Sequence, residues 1–339
     1  MIQNTINPET YLQLFAENLQ VTNLADKSTP NDLSPEMKVF YVKALLENAR
    51  NVHYFAQFGQ TQGLPKNGGK TVEWRKLDTF KPALTPLTEG VTPDGNKANF
   101  VAITATIDQF GSYTAVSDRL QMEAIDPIIA AFTEEAGAQA GDTLDLVYRN
   151  QLITGTNVIY APKSDGSEVT SRADITADCK LTTTVINRAV TQLKKMKAPT
   201  INGDYICIIH PSVTFDLRES AGWIDAQKYA NPKNIYNGEV GKMHGVRFLE
   251  DPQQKVWKTT NGAVYANLFL GKDAYGIVDP EAESLDMIVK PLGSGGTTDP
   301  LNQRSTIGWK ASTAAKILYE ERMVRVECGS AFSGIDQAN

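Results

Sequence analysis

The chain has 339 residues, 41% apolar and 21% charged, with a formal net charge of −6 and a pI near 5.3. That length allows about two domains, each with a core of its own. The acidic balance argues against a dedicated nucleic-acid binder, whose phosphate contacts need a basic patch. No run approaches the ~20 apolar residues of a membrane span, so no membrane partner is expected. Cys179, Cys207 and Cys328 stand far apart and in no metal-ligand or CxxC spacing, as reduced thiols in a reducing compartment would. The first residues, MIQNTINPETYLQLF, lack the basic and apolar regions of a signal peptide. The expectation is a soluble protein made in a cytosol.

Residues 1–62 form a polar arm. Its clearest helix is expected over Ser34–Phe58, with Ser34 as N-cap, Pro35 at the first helical position and apolar residues at Phe40, Ala44, Leu45 and Val52. Residues 63–117 read as one extended ribbon. Its outgoing strand, Thr71 to Phe80, puts Val72 and Trp74 on one face. Its return strand alternates Val101, Ile103, Ala105 and Ile107 with Ala102, Thr104, Thr106 and Asp108. Two-stranded ribbons are marginal in water, so this one needs a hydrophobic cover, expected from a neighbouring copy of the chain.

A long helix is expected from Asp126 as cap and Pro127 at its first position to about Leu152. Its apolar stripe is Ile129, Phe132, Ala136, Ala140, Leu144 and Val147. Residues 161–300 read as a second, mixed domain. It has a helix over Thr182–Lys197, an apolar strand Tyr205–Ile209, and a short helix opened by His210-Pro211-Ser212. Further strands are expected at Val246–Leu249, Ala263–Leu270, Tyr275–Val278 and Met287–Val289. The extended stretch Ile307–Cys328 is expected to pack under the long helix. Residues 118–160 and 301–339 then share one domain into which 161–300 is inserted.

No constellation of residues carries catalysis convincingly. GLPKNGGKT (63–71) resembles a phosphate-binding loop, but Leu64 stands where the first glycine belongs, and a strand follows where a helix N-terminus is needed. GSGGTT (293–298) lacks the dinucleotide-binding spacing and is followed by Asp299-Pro300. His53, His210 and His244 neither pair at helical spacing nor neighbour a cysteine, and Ser212 has no flanking glycines of a nucleophile elbow. No catalytic residue, cofactor or metal is expected.

Several strings, in order, resemble the major capsid proteins of tailed phages of the N-four-like type. They are PKNGGKT (65–71), PLTEGVTP (86–93), ATIDQFGSY (105–113), Ser117-Asp118, TLDLVYRNQLITGT (143–156), His210-Pro211 and DPLNQRSTIGWKA (299–311). The resemblance implies the α+β Hong-Kong-97 capsid fold. In that fold residues 1–62 are an N-terminal arm and 63–117 an extended β-hairpin loop over the adjacent subunit. Residues 118–160 and 301–339 are a peripheral domain with a spine helix, and 161–300 an axial domain meeting its copies at capsomer centres. It further implies self-assembly into pentamers and hexamers of an icosahedral head in the host cytoplasm, packaged double-stranded DNA held without sequence specificity, and a portal with scaffold or cement proteins as partners. A nanocompartment shell of the same fold and a nucleotide-binding enzyme are the alternatives. Inter-subunit contacts are expected at Lys66, Trp74, Glu89, Arg304 and Trp309. Some shells of this fold join a loop lysine to a neighbour's asparagine, and Lys70, Lys76, Lys81 and Lys97 lie in or beside the loop, although the ordinary reading of an exposed loop lysine is a solvated side chain.

Overall fold

The computed structural model describes residues 21–22, 53–65, 69–80, 82–87, 89–92, 95, 97–123, 128–220, 223, 239–280, 285–332 and 335–339. The chain divides into two compact units. One comprises Met1–Arg50, Gln109–Thr143 and Glu283–Ser312, and the other Asn51–Asp108, Leu144–Ala282 and Thr313–Asn339. The expected caps of the two long helices (Ser34-Pro35 and Asp126-Pro127) lie outside the described residues.

In the first unit, β1 (Val21–Thr22) pairs in parallel with the end of β5 (Asp108–Ser117), and β5 pairs with β14 (Arg304–Ile317). β13 (Asp286–Lys290) runs antiparallel to the first half of β14, with Met287 opposite Trp309 and Val289 opposite Ile307. A short helix, α1 (Asp118–Glu123), follows β5 directly, its Leu120 N–H donating to the Ser117 hydroxyl. The first half of the long helix α2 (Ile128–Leu152) lays Ile128, Ile129, Phe132 and Ala136 on Val116, Leu120 and Ile307. β5 and β14 approach closely because two positions carry no side chain. A Cβ at Gly111 would stand 2.7 Å from the Trp309 carbonyl, and one at Gly308 would stand 2.9 Å from the Ser112 carbonyl.

The second unit is built on a seven-stranded sheet. Its order is β6 (Val158–Tyr160), β15 (Met323–Cys328), β11 (Gly262–Leu270), β7 (Tyr205–Ile209), β9 (Val246–Glu250) and β8 (Glu239–Met243), with β10 (Val256–Thr259) on β11. Tyr205–Ile209 is apolar throughout because this sheet is buried on both faces. Tyr205, Cys207 and Ile209 face the core formed with α3 (Thr183–Lys195) and α4 (Pro211–Glu219). Ile206 and Ile208 join Tyr148 and Leu152 of α2, together with Tyr54, Phe55 and Phe58. The same unit pairs β12 (Tyr275–Pro280) antiparallel with Ala314–Ile317 of β14, and in parallel with β2 (Gln60–Leu64).

Several sequence expectations change here. β13 falls in the unit that holds Gln109–Thr143, although its residues lie within the 161–300 stretch. β15 is an inner strand of the seven-stranded sheet, and its Met323 packs with Tyr148 and Leu152 of the long helix, as expected. The expected single return strand breaks at Ile107, where β4 (Phe100–Thr106) ends and β5 takes a different partner. Residues 54–58 turn instead of continuing a helix. The N–H groups of Tyr54, Phe55 and Ala56 point at the Asp145 carboxylate of α2, at 3.3, 3.0 and 3.3 Å.

Two buried charged groups fix this second unit. Glu327, fully buried in β15, receives two bonds from the Arg172 guanidinium at 2.7 and 2.6 Å and one from Arg325 at 2.9 Å. Removing one partner of such a set costs about 3–5 kcal/mol, because the remaining charge is left uncompensated. Asp145 is 4% exposed. Burial, reinforced by nearby Asp251, pushes its carboxyl up to about 7 against the three backbone donors that favour its charged form. A carboxyl raised on folding is bound to its proton more tightly in the native state. Its contribution is therefore full below its unfolded value of about 4 and is lost as pH rises toward about 7. Unfolding midpoints measured across that window should fall more steeply for the parent than for Asp145→Asn. Parallel curves for the two proteins would refute the assignment.

Candidate assembly surface

β3 (Thr71–Leu77) and β4 form a two-stranded hairpin with Val72 opposite Ala105, Trp74 opposite Ile103, Lys76 opposite Val101 and Leu77 opposite Phe100. Backbone bonds close it below, from Ile107 N–H to the Lys70 carbonyl at 2.9 Å, and above, from Asp78 N–H to the Asn99 carbonyl at 3.0 Å. The Asn99 amide also donates to the Asp78 carboxylate at 2.7 Å. Period-two alternation places Val72, Trp74, Ile103 and Ala105 on one face.

That face is covered at its base by the chain itself. Val72 and Ala105, 7% and 4% exposed, pack with Val278 of β12 and Ala314 of β14, and with Leu64, Trp74 and Ile107 at the margin. The Trp74 ring lies where residue 276 lacks a side chain: a Cβ on Gly276 would stand 2.8 Å from a ring carbon. One step further out, Lys76 reaches the Glu321 carboxylate at 3.2 and 3.3 Å, 4.6 Å from the centre of the Tyr319 ring. The expectation that the ribbon finds its cover on another copy is therefore corrected for its lower half.

Beyond Lys76 the described residues supply no such cover. Leu77, Phe80, Leu84, Leu87, Val91, Phe100 and Val101 are exposed, Leu84 by 87% and Leu87 by 78%. The described residues between Leu77 and Phe100 form no strand, and Gly90 turns with φ +76°. Pro82 and Pro86 lack the N–H a ladder needs. Large apolar side chains held outward on an irregular loop mark a surface awaiting a partner.

Four of the five expected contacts fall among the described residues. Lys66 lies outside the described residues. Glu89 is exposed in the outer turn. Trp74 is half-buried against its own chain, its indole N–H buried without an acceptor among the described residues. Trp309 is 4% exposed, and its N–H donates to the Gln139 side chain at 3.0 Å. Arg304 caps the preceding turn, its guanidinium donating to the Thr298 carbonyl at 2.9 Å. Trp74 follows from strand alternation, which marks a covered face without saying what covers it. Leu84, Leu87 and Val91 were missed because they follow no period. Their signal is the occurrence of large apolar residues in a run of Pro, Thr and Gly. Of the loop lysines, Lys70 and Lys97 are exposed, Lys76 is engaged by Glu321, and Lys81 lies outside the described residues.

The catalytic temptations take structural roles. His210 caps α4, its Nδ1 accepting the Ser212 N–H at 3.2 Å, and burial lowers its pKa. The Ser212 hydroxyl donates to Asp336 at 2.9 Å, not to an imidazole. GLPKNGGKT begins within strand β2 and leads into strand β3, so no helix N-terminus meets a phosphate. No cluster of His, Cys, Asp and Glu suited to a metal occurs among the described residues.

A family model described as phage capsid protein matches residues 101–326. No curated protein matches the sequence. Among solved structures, the capsid of Ralstonia phage GP4 is similar at 14% identity and TM-score 0.69, covering 90% of this chain and 98% of that one. The capsid of cyanophage Pam1 is similar at 13% identity and TM-score 0.69, over 91% and 98%. That of cyanophage P-SCSP1u gives 16% identity and TM-score 0.65, over 86% and 92%.

The Trp74–Gly276 contact predicts that Gly276→Ala lowers stability by about 1–3 kcal/mol through overpacking. Trp74→Leu in the same chain should recover part of it by making room. Denaturant unfolding followed by tryptophan fluorescence checks both, and a Gly276→Ala protein as stable as its parent would contradict the packing.

Proposed function

This chain belongs to the phage capsid protein family and has the fold of tailed-phage major capsid proteins, and on that premise we propose that its copies close into the pentamers and hexamers of an icosahedral shell around double-stranded DNA. The observation that carries this reading is the hairpin, anchored at its base and bare at its outer half. Covering Leu84, Leu87 and Phe100 on a neighbouring copy contributes about 1.5–3 kcal/mol for each side chain fully buried. A subunit using all of them must join others, and repeated contacts of one kind between identical copies close only with symmetry.

The remaining chemistry supports a structural role. His210 and Ser212 serve as helix cap and anchor, which supports a reading of the chain as shell material. A net charge of −6 suits a container whose nucleic acid must move during packaging, since an acidic protein gives phosphates few cations to hold. In this reading the chain assembles in the bacterial cytoplasm, resides in the virion, and meets a portal and scaffold or cement proteins.

Two variants test the hairpin's part. Deleting residues 82–97, or combining Leu84→Asp with Leu87→Asp, should leave circular dichroism and unfolding of the subunit unchanged while abolishing particles in electron micrographs. Intact shells from either variant would overturn the proposal.

A further inference from the structure

β13 is an edge that the described residues leave bare. All five of its residues are exposed, including Met287 (38%), Ile288 (38%) and Val289 (45%), flanked by exposed Leu285 and Leu292. Its one strand partner among the described residues is β14. Natural sheets blunt such edges with proline, a bulge or an inward charge. Among the described residues this strand carries no proline or bulge within it, its pairing with β14 runs without a register shift, and its charges are confined to its two ends, Asp286 and Lys290. Three consecutive large apolar residues lie between one acidic residue, Asp286, and one basic residue, Lys290.

That pattern is complementary to itself. Turned antiparallel about Ile288, the strand sets Asp286 opposite Lys290 of a second copy, Lys290 opposite its Asp286, and Met287 opposite its Val289. Opposite charges directly across strands stabilise such a pair, and like charges oppose it. Any shift of register breaks both ion pairs, so the charges select one alignment. Within its own chain Lys290 stands opposite neutral Thr306, while Asp286 lies 3.6 Å from Lys310 at the surface, a pair of little strength.

We propose that the outer edge of β13 pairs with β13 of a second copy, about a two-fold axis through Ile288. This contact rests on the shell reading and adds to it a junction between copies that is distinct from the hairpin tip. An axis of this kind makes the same patch serve both partners.

The test is cysteine cross-linking of the full chain, assembled and then oxidised, read on a non-reducing denaturing gel. Residues facing each other across antiparallel strands have Cα atoms about 4.5–5.5 Å apart, within reach of a disulfide. The native thiols are buried and stay silent. Ile288→Cys should give a band at twice the chain mass, whereas Met122→Cys, at a position 76% exposed, should not. Co-expressed Met287→Cys and Val289→Cys chains should cross-link with each other, and neither alone. Lys290→Glu added to Ile288→Cys should lower the dimer yield severalfold at low salt, with recovery at high salt. Particles whose cysteines at 287, 288 and 289 form no dimer would overturn the pairing and leave the shell reading intact. Dimers without particles at any concentration would support the pairing and remove the shell reading. Equal yields from Ile288→Cys and Met122→Cys, or indifference to Lys290→Glu, would also overturn the pairing.

Discussion

The indole of Trp74 occupies the space that a side chain at position 276 would fill, and this contact decides how much of the hairpin belongs to its own subunit. Below it, Val72, Ala105, Val278 and Ala314 form a small apolar cluster. Above it, the lysine–glutamate pair at Lys76 is the last tether. An ion pair this exposed contributes less than about 1 kcal/mol, so the anchoring is apolar and the pair adds direction more than strength. Since a free two-stranded ribbon is marginal, β3 and β4 hold their ladder because the base is packed. The packed base in turn carries an outer loop that could not stand alone in water with Leu84 and Leu87 exposed.

A second constraint is continuous with the first. Residues 54–58 lead into β2, which pairs with β12, the strand that carries Gly276. The carboxylate of Asp145 gathers three backbone N–H groups of that lead-in, and the Tyr275 hydroxyl donates to the Phe55 carbonyl. The floor under Trp74 is therefore held from two sides, by the ladder of β12 with β14 and by this buried polar knot. Burying a carboxyl so fully is costly unless it is hydrogen-bonded, and here the donors are backbone groups that a helix would otherwise have used.

The same knot explains what was legible in the sequence. Elements with a strong period were readable: the stripe of α2, the cap and apolar face of α3, the continuous apolar run of β7, and the alternation of β3 and β4. The resemblance carried by strings such as ATIDQFGSY and DPLNQRSTIGWKA pointed to the capsid fold. Elements set by distant partners were not readable. Tyr54, Phe55 and Phe58 look like a helix face, but they turn because Asp145, some ninety positions on, takes their N–H groups. The return strand looks continuous through Ile107, yet its partner changes there. Trp74 packs on its own chain where a neighbour was expected to cover the ribbon, because alternation reports that a face is covered and is silent about by whom. Gly276 gave no signal, since a missing side chain acquires meaning only opposite the ring that fills the gap.

The central claim is that the hairpin is internal at its base and external at its tip. Hydrogen exchange of the isolated subunit, compared with that of assembled particles, tests it most directly. Amides of β3 and β4 should be protected equally in both states, while those of the loop from Leu84 to Val91 should exchange freely in the subunit and slow only on assembly. Loop amides already slow in the isolated subunit, or base amides protected only in particles, would contradict this account.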